Sequence, residues 1–271
     1  MNLKITNHTY QKELEVSVQA ALAAGDAILS VYESENFGVE YKEDDSPLTK
    51  ADRASNAIIG KALREAFPTH AILSEEDEDD RARLDNPLCF VVDPLDGTKE
   101  FVKRNGEFTV NIALAKDHES ILGVIYVPVS RELYYAAQGA GAYYQKMGEE
   151  PVQIHTTDVL YSADTADAFR VVASRSHNSP LMDALIEKYH LTQVVSIGSS
   201  LKGCLVAKGD AEIYYRHNPT MEWDTAAMQC IAEEAGAVFR QMDDTPMRYN
   251  RENTRNEKGF YILNRSENRL R

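Results

Sequence analysis

Two carboxylates and a peptide carbonyl lie close together in FVVDPLDGTKEF, the segment that spans residues 90–101. Asp93 and Asp96 follow a short apolar run, and the Leu95 carbonyl lies between them. Pro94 fixes its own φ and has no amide hydrogen, so we expect the run to end there in a tight turn that brings both carboxylates together. Oxygen ligands of this kind suit a hard cation such as Mg²⁺. A solvated turn is the alternative, since these residues all favour turns.

The two residues after Asp96 could hold a phosphate. Gly97 presents a backbone amide that no side chain of its own shields, and the hydroxyl of Thr98 follows it. Amides and hydroxyls of this kind are common ligands of phosphate oxygens. The segment therefore favours a site that holds a cation and a phosphate side by side.

Glu75 is a candidate to join this site. It follows a short apolar run at residues 71–73, as Asp93 does after its own run. If both runs are neighbouring strands of one sheet, they end at the same edge, and Glu75, Asp93 and Asp96 converge there. Such a group carries enough carboxylates for two metal ions, an arrangement used for in-line phosphoryl displacement. Acidic runs such as residues 75–80 are more commonly solvated loops.

Asp52 and Asp224 are predicted near the starts of helices. Thr49 is expected to cap a helix over about residues 51–66, which puts Asp52 in the first turn, where the helix dipole favours a negative charge. Asp224 comes directly before an apolar helical face, where a charge should be capped, paired or bound to a metal. Helix capping explains both acids without a catalytic role.

The elements that must position these residues follow several patterns. Apolar residues at helical spacing predict a first helix over about residues 10–32. From residue 109 to about 144 the pattern predicts an antiparallel meander, and one more strand follows near 151–155. From about residue 170 strands and helices alternate, which predicts a mainly parallel, layered α/β arrangement. The polar stretch 156–168 is the expected junction.

We therefore expect two domains. Residues 1–160 would form an α+β domain with most of the acids, and residues 161–271 an α/β domain that carries Asp224. Polar residues at the strand ends of the second domain are ligand candidates, because open α/β sheets bind ligands at the carboxyl ends of their strands. They are His177, Ser199, Lys202 and Arg216. Each of them alone is commonly a solvated side chain.

Composition limits the classes of function. A chain of 271 residues with 43% hydrophobic and 27% charged residues is typical of a globular protein. The formal net charge of −14 argues against binding to a nucleic acid polymer, which needs a basic face. Cys89, Cys204 and Cys230 form no C-x-x-C pair and favour a reduced, cytoplasmic setting. We expect no segment of transmembrane length, and Trp223 should be a core anchor.

Three blocks of the sequence resemble the lithium-sensitive, Mg²⁺-dependent phosphatases of the inositol monophosphatase superfamily. They are LSEED at 73–77, VVDPLDGTKEF at 91–101 and EWDTAA at 222–227. Four further blocks make the chain most similar to the bacterial 3′(2′),5′-bisphosphate nucleotidases of sulfur metabolism. They are SPLTKAD at 46–52, RNGEFTVNIAL at 104–114, ASRSH at 173–177 and IGSSLKGCLVAKGDAEIYYR at 197–216. One departure is Met228, where the family commonly has glycine after the double alanine.

The resemblance implies a layered α-β-α-β-α sandwich of the sugar phosphatase type and a set of site residues. Two or three Mg²⁺ ions would be held by Glu75, Asp93, the Leu95 carbonyl, Asp96 and Asp224. Gly97 and Thr98 would hold the scissile phosphate. Asp52 would hydrogen-bond the Thr98 hydroxyl and, with Glu75, would orient the attacking water. The nucleotide and its remaining phosphate would be held by His177, Ser199, Lys202, Arg216 and Asp224.

The activity that the resemblance implies is hydrolysis of 3′-phosphoadenosine 5′-phosphate to AMP and phosphate, with sensitivity to lithium. An inositol monophosphatase or a related sugar phosphatase is the first alternative. A metal-binding regulatory module without turnover is the second. We expect a cytoplasmic monomer rather than a dimer, with a small nucleotide as its partner. Peripheral attachment to the cytoplasmic face of the inner membrane stays open.

Overall fold

The structure, a computed structural model, describes residues 3–34, 38, 40–41, 47–176 and 179–271. These ranges form six α-helices, two short 3₁₀-helices and sixteen strands. The α-helices are α1 (Gln11–Tyr32), α2 (Lys50–Ala66), α3 (Thr98–Val102), α4 (Pro180–Lys188), α5 (Leu201–Lys208) and α6 (Glu222–Glu234), and the 3₁₀-helices are Arg81–Asp85 and Ser266–Asn268. The strands are β1 (Glu40–Tyr41), β2 (Pro47–Leu48), β3 (Ala71–Ser74), β4 (Leu88–Asp96), β5 (Thr109–Lys116), β6 (Glu119–Val127), β7 (Glu132–Ala137), β8 (Ala142–Lys146), β9 (Val152–Ile154), β10 (Arg170–Ser174), β11 (Gln193–Ile197), β12 (Ile213–Arg216), β13 (Thr220–Met221), β14 (Val238–Gln241), β15 (Arg255–Asn256) and β16 (Phe260–Leu263).

The larger sheet has seven strands in the order β3-β4-β5-β6-β7-β8-β9. β3 runs parallel to β4, and every later pair is antiparallel, so the predicted meander is confirmed. Successive side chains of β5 point to opposite faces. Val110, Ile112 and Leu114 join one hydrophobic core, whereas Ala113 and Ala115 join another. Both faces of this sheet are therefore covered by other elements.

The smaller sheet has five strands in the order β11-β10-β12-β16-β14. β10 is parallel to β11 and to β12, whereas β16 runs antiparallel to its neighbours β12 and β14. Four of the five strands thus share one direction, as a mainly parallel arrangement requires.

Helices cover both sheets and fill the space between them. α1 and α2 pack on the outer face of the seven-stranded sheet and build one core with it. α5 and α6 lie between the two sheets, in a second core to which both sheets contribute. α4 packs on the outer face of the five-stranded sheet. This order of layers confirms the α-β-α-β-α fold that the resemblance implies.

The close approach of α6 to the seven-stranded sheet depends on Gly123. A Cβ at this position of β6 would lie 2.4 Å from the carbonyl oxygen of Ala227 in α6. Backbone atoms of a packed helix cannot turn aside as a flexible side chain can, so a larger residue would shift the helix. Because α6 carries Asp224, this contact also sets the position of that acid.

Strand β4 continues through Pro94 to Asp96, and the prediction of a tight turn was wrong here. The register against β5 shifts between Asp93 and Asp96, so an irregular strand end brings the two acids together. β3 pairs with β4 only as far as Val92. Pro94 therefore falls in a stretch that has no partner on that side, where its missing amide hydrogen is tolerated. Its carbonyl accepts a hydrogen bond of 2.6 Å from Ser55 Oγ in α2.

Helix α1 is long and apolar enough, by length and composition alone, to cross a membrane, which the sequence interpretation overlooked. In the structure its apolar face is used for packing. Leu14, Val18 and Ile28 are fully buried in the core that α1 shares with α2 and the seven-stranded sheet. Its packing is that of a core helix.

The two sheets follow one another along the chain. Residues 155–169 connect β9 to β10 through turns, within the polar stretch that is the expected junction. Asn264, from the end of the chain, donates to the carbonyls of Thr157 and Val159 at 3.0 and 2.8 Å and holds this connection in place. The division into domains of residues 1–160 and 161–271 stays a prediction.

Substitution of Gly123 by alanine should destabilise the fold. The added methyl group would press against the α6 backbone, and overpacking of this kind costs about 1–3 kcal/mol of unfolding free energy. Urea denaturation measures the change. Gly60→Ala in α2 is the matched control, because the Cβ there would meet only the mobile end of the Arg64 side chain. That helical variant should be neutral or more stable, and equal losses in both variants would contradict the prediction.

Candidate active site

Three carboxylates from distant parts of the chain meet at one point. Asp93 and Asp96 lie on the irregular end of β4, and Asp224 is the third residue of α6. One carboxylate oxygen of each lies within 4.8 Å of the others. Asp93 is 1% exposed, and the other two are half-buried. The strand end and the helix start therefore present a compact acidic cluster.

Neighbouring groups fix the side chains of Asp93 and Asp96. The backbone amide of Leu95 donates to Asp93 Oδ1 at 3.1 Å. Asp96 Oδ2 accepts hydrogen bonds from Ser200 Oγ at 2.7 Å and from Asn111 Nδ2 at 3.3 Å. Asn111 also donates to Ser200 Oγ at 2.8 Å, so β5 and the start of α5 are joined behind Asp96.

Burial and crowding raise the pKa values of two acids of the cluster, Asp93 and Asp224. The pKa of Asp93 is raised well above its usual value by burial and then by nearby negative charges, first that of Glu75. Burial, and then the charge of Asp96, raise the pKa of Asp224 to about 7. The amide of Met221 donates to Asp224 Oδ2 at 2.7 Å and opposes that rise. Acids this close together ionise fully only when a cation compensates their charge.

Glu75 lies beside the cluster. β3 and β4 are parallel neighbours, and the amide of Glu75 donates to the Val92 carbonyl at 3.1 Å, so the two strands deliver Glu75 and Asp93 to the same edge. Glu75 and Leu95 line one cavity with the three aspartates, although Glu75 is not among the acids within 4.8 Å of one another. An all-oxygen donor set of this kind fits a hard divalent cation such as Mg²⁺.

Gly97 and Thr98 follow the cluster at the start of α3. Gly97 has a φ of 93°, a left-handed conformation that glycine adopts without strain. Thr98 Oγ1 donates to Asp52 Oδ1 at 3.1 Å, which is the contact that the resemblance implies. Asp52 is 1% exposed, and its other oxygen accepts hydrogen bonds from the amide and hydroxyl of Thr49 at 2.7 and 2.6 Å. Burial raises the pKa of Asp52.

Hydrogen-bond donors form another wall of the cavity. Lys202 is 8% exposed, and its Nζ donates to the Ser199 carbonyl at 2.5 Å. Burial lowers the pKa of Lys202, whereas the charge of Asp96 opposes this. Ser199 Oγ and Arg216 Nε are buried, and neither has a hydrogen-bond partner among the described residues. Ser199 also has a φ of 45°, which is a strained conformation for serine.

The cavity that joins these groups has a volume of about 330 Å³. Its walls include predicted residues from both halves of the chain: Glu75, Asp93, Leu95, Asp96, Gly97, Thr98, Ser199, Lys202, Arg216 and Asp224. Asp52 lies behind Thr98, in contact with its hydroxyl. His177 lies outside the described residues.

Several residues that line the cavity or lie just behind its wall were missed from the sequence. Trp223 is half-buried and lines the cavity beside Tyr214 and Phe260, so its interpretation as a plain core anchor was incomplete. Asn111 was also missed, although an amide within the apolar run FTVNIALA was a usable signal, since a buried polar side chain needs a partner. No pattern in the sequence distinguished Ser200 from its neighbour Ser199 as a site residue.

Met228, the departure from the family pattern, fills a hollow at Gly203. A Cβ at Gly203 would lie 2.2 Å from Cγ of Met228, so the methionine occupies the space that a side chain on α5 would need. Met228 is 4% exposed and lines the cavity one helical turn after Asp224. Through this contact α6 packs closely against α5, the helix that carries Lys202.

The chain matches the model of the inositol monophosphatase family over residues 9–267, and it belongs to that family. The resemblance of the three blocks is thereby confirmed. The family match covers the acidic cluster, Asp52 and the donor wall alike.

Individual relatives are similar over nearly the whole chain. The 3′(2′),5′-bisphosphate nucleotidase CysQ of Salmonella typhimurium is 43% identical over 252 residues, which cover 92% of this chain and 98% of that protein. The inositol-1-monophosphatase of Synechocystis is 34% identical over 243 residues, which cover 88% of this chain and 81% of that protein. The crystal structure of CysQ from Bacteroides thetaiotaomicron superposes with a TM-score of 0.82 at 40% identity and covers 95% of this chain and 99% of that one.

The acidic cluster should make the stability of the metal-free protein depend on pH. The pKa of Asp224 is about 7 in the folded protein against a usual 3.8, so between these values the folded state keeps a proton that the unfolded state loses. The unfolding free energy should therefore fall as the pH rises from about 4 to about 7. Mg²⁺ binds the ionised carboxylates, so its stabilising effect should grow over the same range. Thermal denaturation with and without Mg²⁺ at a series of pH values measures both effects.

Two variants control this measurement. Asp224→Asn keeps the shape of the side chain without its charge and should lose much of both responses. Asp243→Asn removes an exposed carboxylate that is paired with Lys258 and should keep the Mg²⁺ response. A metal-free wild-type protein whose stability rises from pH 4 to 7 would contradict the prediction.

Proposed function

We propose that this chain is a Mg²⁺-dependent 3′(2′),5′-bisphosphate nucleotidase that hydrolyses 3′-phosphoadenosine 5′-phosphate to AMP and phosphate. One observation carries the proposal. A single cavity joins the acidic cluster to a wall of buried donors, of which Ser199 Oγ and Arg216 Nε have no partner among the described residues. A substrate with two phosphate groups would place one at the acidic cluster and the other at the buried donors.

The donor wall favours a bisphosphate over a monophosphate. The scissile phosphate would lie at the acidic cluster, with its negative charge balanced by bound cations. The second phosphate would accept hydrogen bonds from Ser199, Lys202 and Arg216, and charge-assisted bonds of this kind are the strong ones. A monophosphate would leave Ser199 Oγ and Arg216 Nε unsatisfied, which costs free energy. Similarity to a protein named as a 3′(2′),5′-bisphosphate nucleotidase supports the same substrate class.

The acidic cluster would hold the metal. We infer that Asp93, Asp96 and Asp224 are ligands, with Glu75 and the Leu95 carbonyl beside them, for two or three Mg²⁺ ions. Bound Mg²⁺ would neutralise charge on the phosphate and lower the pKa of the attacking water.

The remaining residues would position the reacting groups. Thr98 Oγ1 has one hydrogen to donate, to Asp52 Oδ1 at 3.1 Å or to the Leu95 carbonyl at 3.3 Å, so its oxygen would accept a hydrogen from the attacking water. Glu75 would accept the other hydrogen of that water, which then points a lone pair at the phosphorus atom. The backbone amides of Gly97 and Thr98 would donate to the scissile phosphate.

Direct attack by water would form the new P–O bond as the bond to the leaving 3′-oxygen breaks. Glu75 would take a proton of the water and the leaving oxygen would take one from solvent, so no covalent phosphoenzyme is needed. The mechanistic alternative uses Asp93 as the nucleophile, but Asp93 is 1% exposed and is held by the Leu95 amide. We propose that the enzyme is a cytoplasmic monomer. The cavity would lie between the two proposed domains, because residues from both halves of the chain line it.

An inositol phosphatase is the second candidate, because the Synechocystis inositol-1-monophosphatase is 34% identical over most of the chain. A phosphate-release panel with Mg²⁺ separates the two candidates. 3′-phosphoadenosine 5′-phosphate should be hydrolysed with the highest kcat/KM, ahead of inositol 1-phosphate and 3′-AMP. Preference for inositol phosphate would contradict the nucleotidase, and no turnover on any ester would leave a binding module.

Substitution of a metal ligand should abolish most of this activity. Asp96→Asn should lower kcat/KM at least about 100-fold, because several kcal/mol of charge stabilisation in the transition state depend on the bound cation. The same panel measures it, with Asp243→Asn as the surface control. Near-normal rates together with undiminished Mg²⁺ affinity would show that Asp96 is not a metal ligand.

Loss of one donor from this wall should weaken the binding of bisphosphates much more than the binding of monophosphates. Arg216→Gln should raise KM for 3′-phosphoadenosine 5′-phosphate by about 10- to 100-fold, since a hydrogen bond to a charged group contributes about 1.5–3 kcal/mol. KM for 3′-AMP, which has no second phosphate, should change little. Steady-state kinetics on both substrates test this, and Arg248→Gln, which breaks an exposed ion pair with Glu119, is the control. Equal losses on both substrates would place Arg216 outside the second phosphate site.

A further inference from the structure

We propose that Glu222 is a positioning residue for Asp224, through a buried hydrogen-bond network that ties the start of α6 to two loops. The inference rests on the proposed role of Asp224 as a metal ligand. Glu222 itself faces away from the reaction and touches no group that we assign to substrate.

The carboxylate of Glu222 is fully buried, at 0% exposure. Its Oε2 accepts a hydrogen bond from the amide of Asn250 at 2.6 Å, and its Oε1 accepts from the amide and Nε of Arg251 at 3.0 and 3.1 Å. The backbone amide of Glu222 donates to the Thr254 carbonyl at 2.9 Å. The first residue of α6 is thus held by residues 250–254 through both its side chain and its backbone.

The same network continues to the residue that orients Asp224. Arg251 Nη2 donates to Asn256 Oδ1 at 2.6 Å, and Asn256 Nδ2 donates to the Met221 carbonyl at 2.9 Å. The amide of Met221 then donates to Asp224 Oδ2 at 2.7 Å. Asn256 is 1% exposed, so water does not substitute for these bonds. Glu222 therefore reaches the metal-binding carboxylate through Arg251, Asn256 and Met221.

A second branch connects this network to the other acids. Arg83 is 3% exposed and donates to Asn250 Oδ1 at 2.8 Å and to the Arg251 carbonyl at 3.0 Å. Arg83 belongs to the 3₁₀-helix between β3 and β4, the strands that deliver Glu75 and Asp93. The start of α6 is thereby fixed relative to the strands of the acidic cluster.

The chain contains a matched control for a buried glutamate. Glu212 is also 0% exposed and pairs with an arginine, with Arg170 Nη2 at 2.6 Å from Oε1. It precedes β12, at the opposite end of that strand from Arg216. Loss of its charge should destabilise the fold without reaching the acidic cluster.

The test compares Glu222→Gln with Glu212→Gln. Isothermal titration calorimetry measures Mn²⁺ binding to the metal-free protein, and this readout does not depend on activity. Groups bonded directly to a metal ligand typically contribute about 10–100-fold to metal affinity. Glu222 acts through Arg251, Asn256 and Met221, so Glu222→Gln should weaken Mn²⁺ binding by about tenfold, the lower end of that range. Glu212→Gln should stay within about twofold of the wild type, because no bond of Glu212 leads to a ligand. At saturating Mg²⁺, KM for 3′-phosphoadenosine 5′-phosphate should be unchanged in Glu222→Gln.

Arg251→Lys guards against a variant that fails to fold. It keeps a positive charge beside the buried Glu222 carboxylate but removes the Nη2 donor to Asn256 Oδ1, so it should weaken Mn²⁺ binding in the same direction. Wild-type affinity in Glu222→Gln or in Arg251→Lys, or an equal loss in Glu212→Gln, would overturn the proposal. A wild type that binds no Mn²⁺ would overturn it together with the metal site. A wild type that binds Mn²⁺ but does not hydrolyse the bisphosphate would contradict only the proposed function.

Discussion

The mutual repulsion of three carboxylates, one buried and two half-buried, is the constraint on which the rest of this structure depends. Asp93, Asp96 and Asp224 converge within 4.8 Å, in surroundings that raise the pKa values of Asp93 and Asp224. Carboxylates this close together raise the free energy of the folded protein when no cation is bound, and several hydrogen bonds hold them in place. Backbone amides, a serine hydroxyl and an asparagine side chain each fix one of its oxygens. The hydrogen bonds around the cluster form a rigid frame for three carboxylates whose charge the proposed cations would neutralise.

The layer order explains how one point can collect residues from the whole chain. α6 lies between the two sheets, so its first turn can meet the end of β4 from the opposite half. Gly123 lets that helix approach the sheet, and Met228 sets its distance from α5. The donor wall runs from Ser199, just before α5, to Arg216 at the end of β12, which places Lys202 and Arg216 beside the cluster. The residues that we propose as ligands of metal and phosphate thus lie on elements that pack directly on one another.

The sequence predicted best what depends on local pattern and strand direction. The meander, the layered second half and the convergence of Glu75 with Asp93 follow from periodicity and from parallel neighbours ending at one edge. The turn at Pro94 was wrong because the register shift in β4 depends on pairing with β5, which local residues do not encode. Ser200, Tyr214 and the network around Glu222 were missed because their partners lie far away in the chain. Long-range contacts of this kind are visible only once the fold is known.

The packing of Met228 against Gly203 limits which pairs of residues these two positions can accept as related sequences diverge. The thioether fills the hollow that any side chain at position 203 would occupy, so the two positions share one fixed volume. A relative with glycine at the position of Met228 has room for a side chain at position 203, whereas a chain with side chains at both positions has room for only one of them. The order of substitutions is therefore constrained: position 228 must shrink before position 203 can grow. Because these helices carry Asp224 and Lys202, an evolutionary path that breaks this order passes through a disturbed active site.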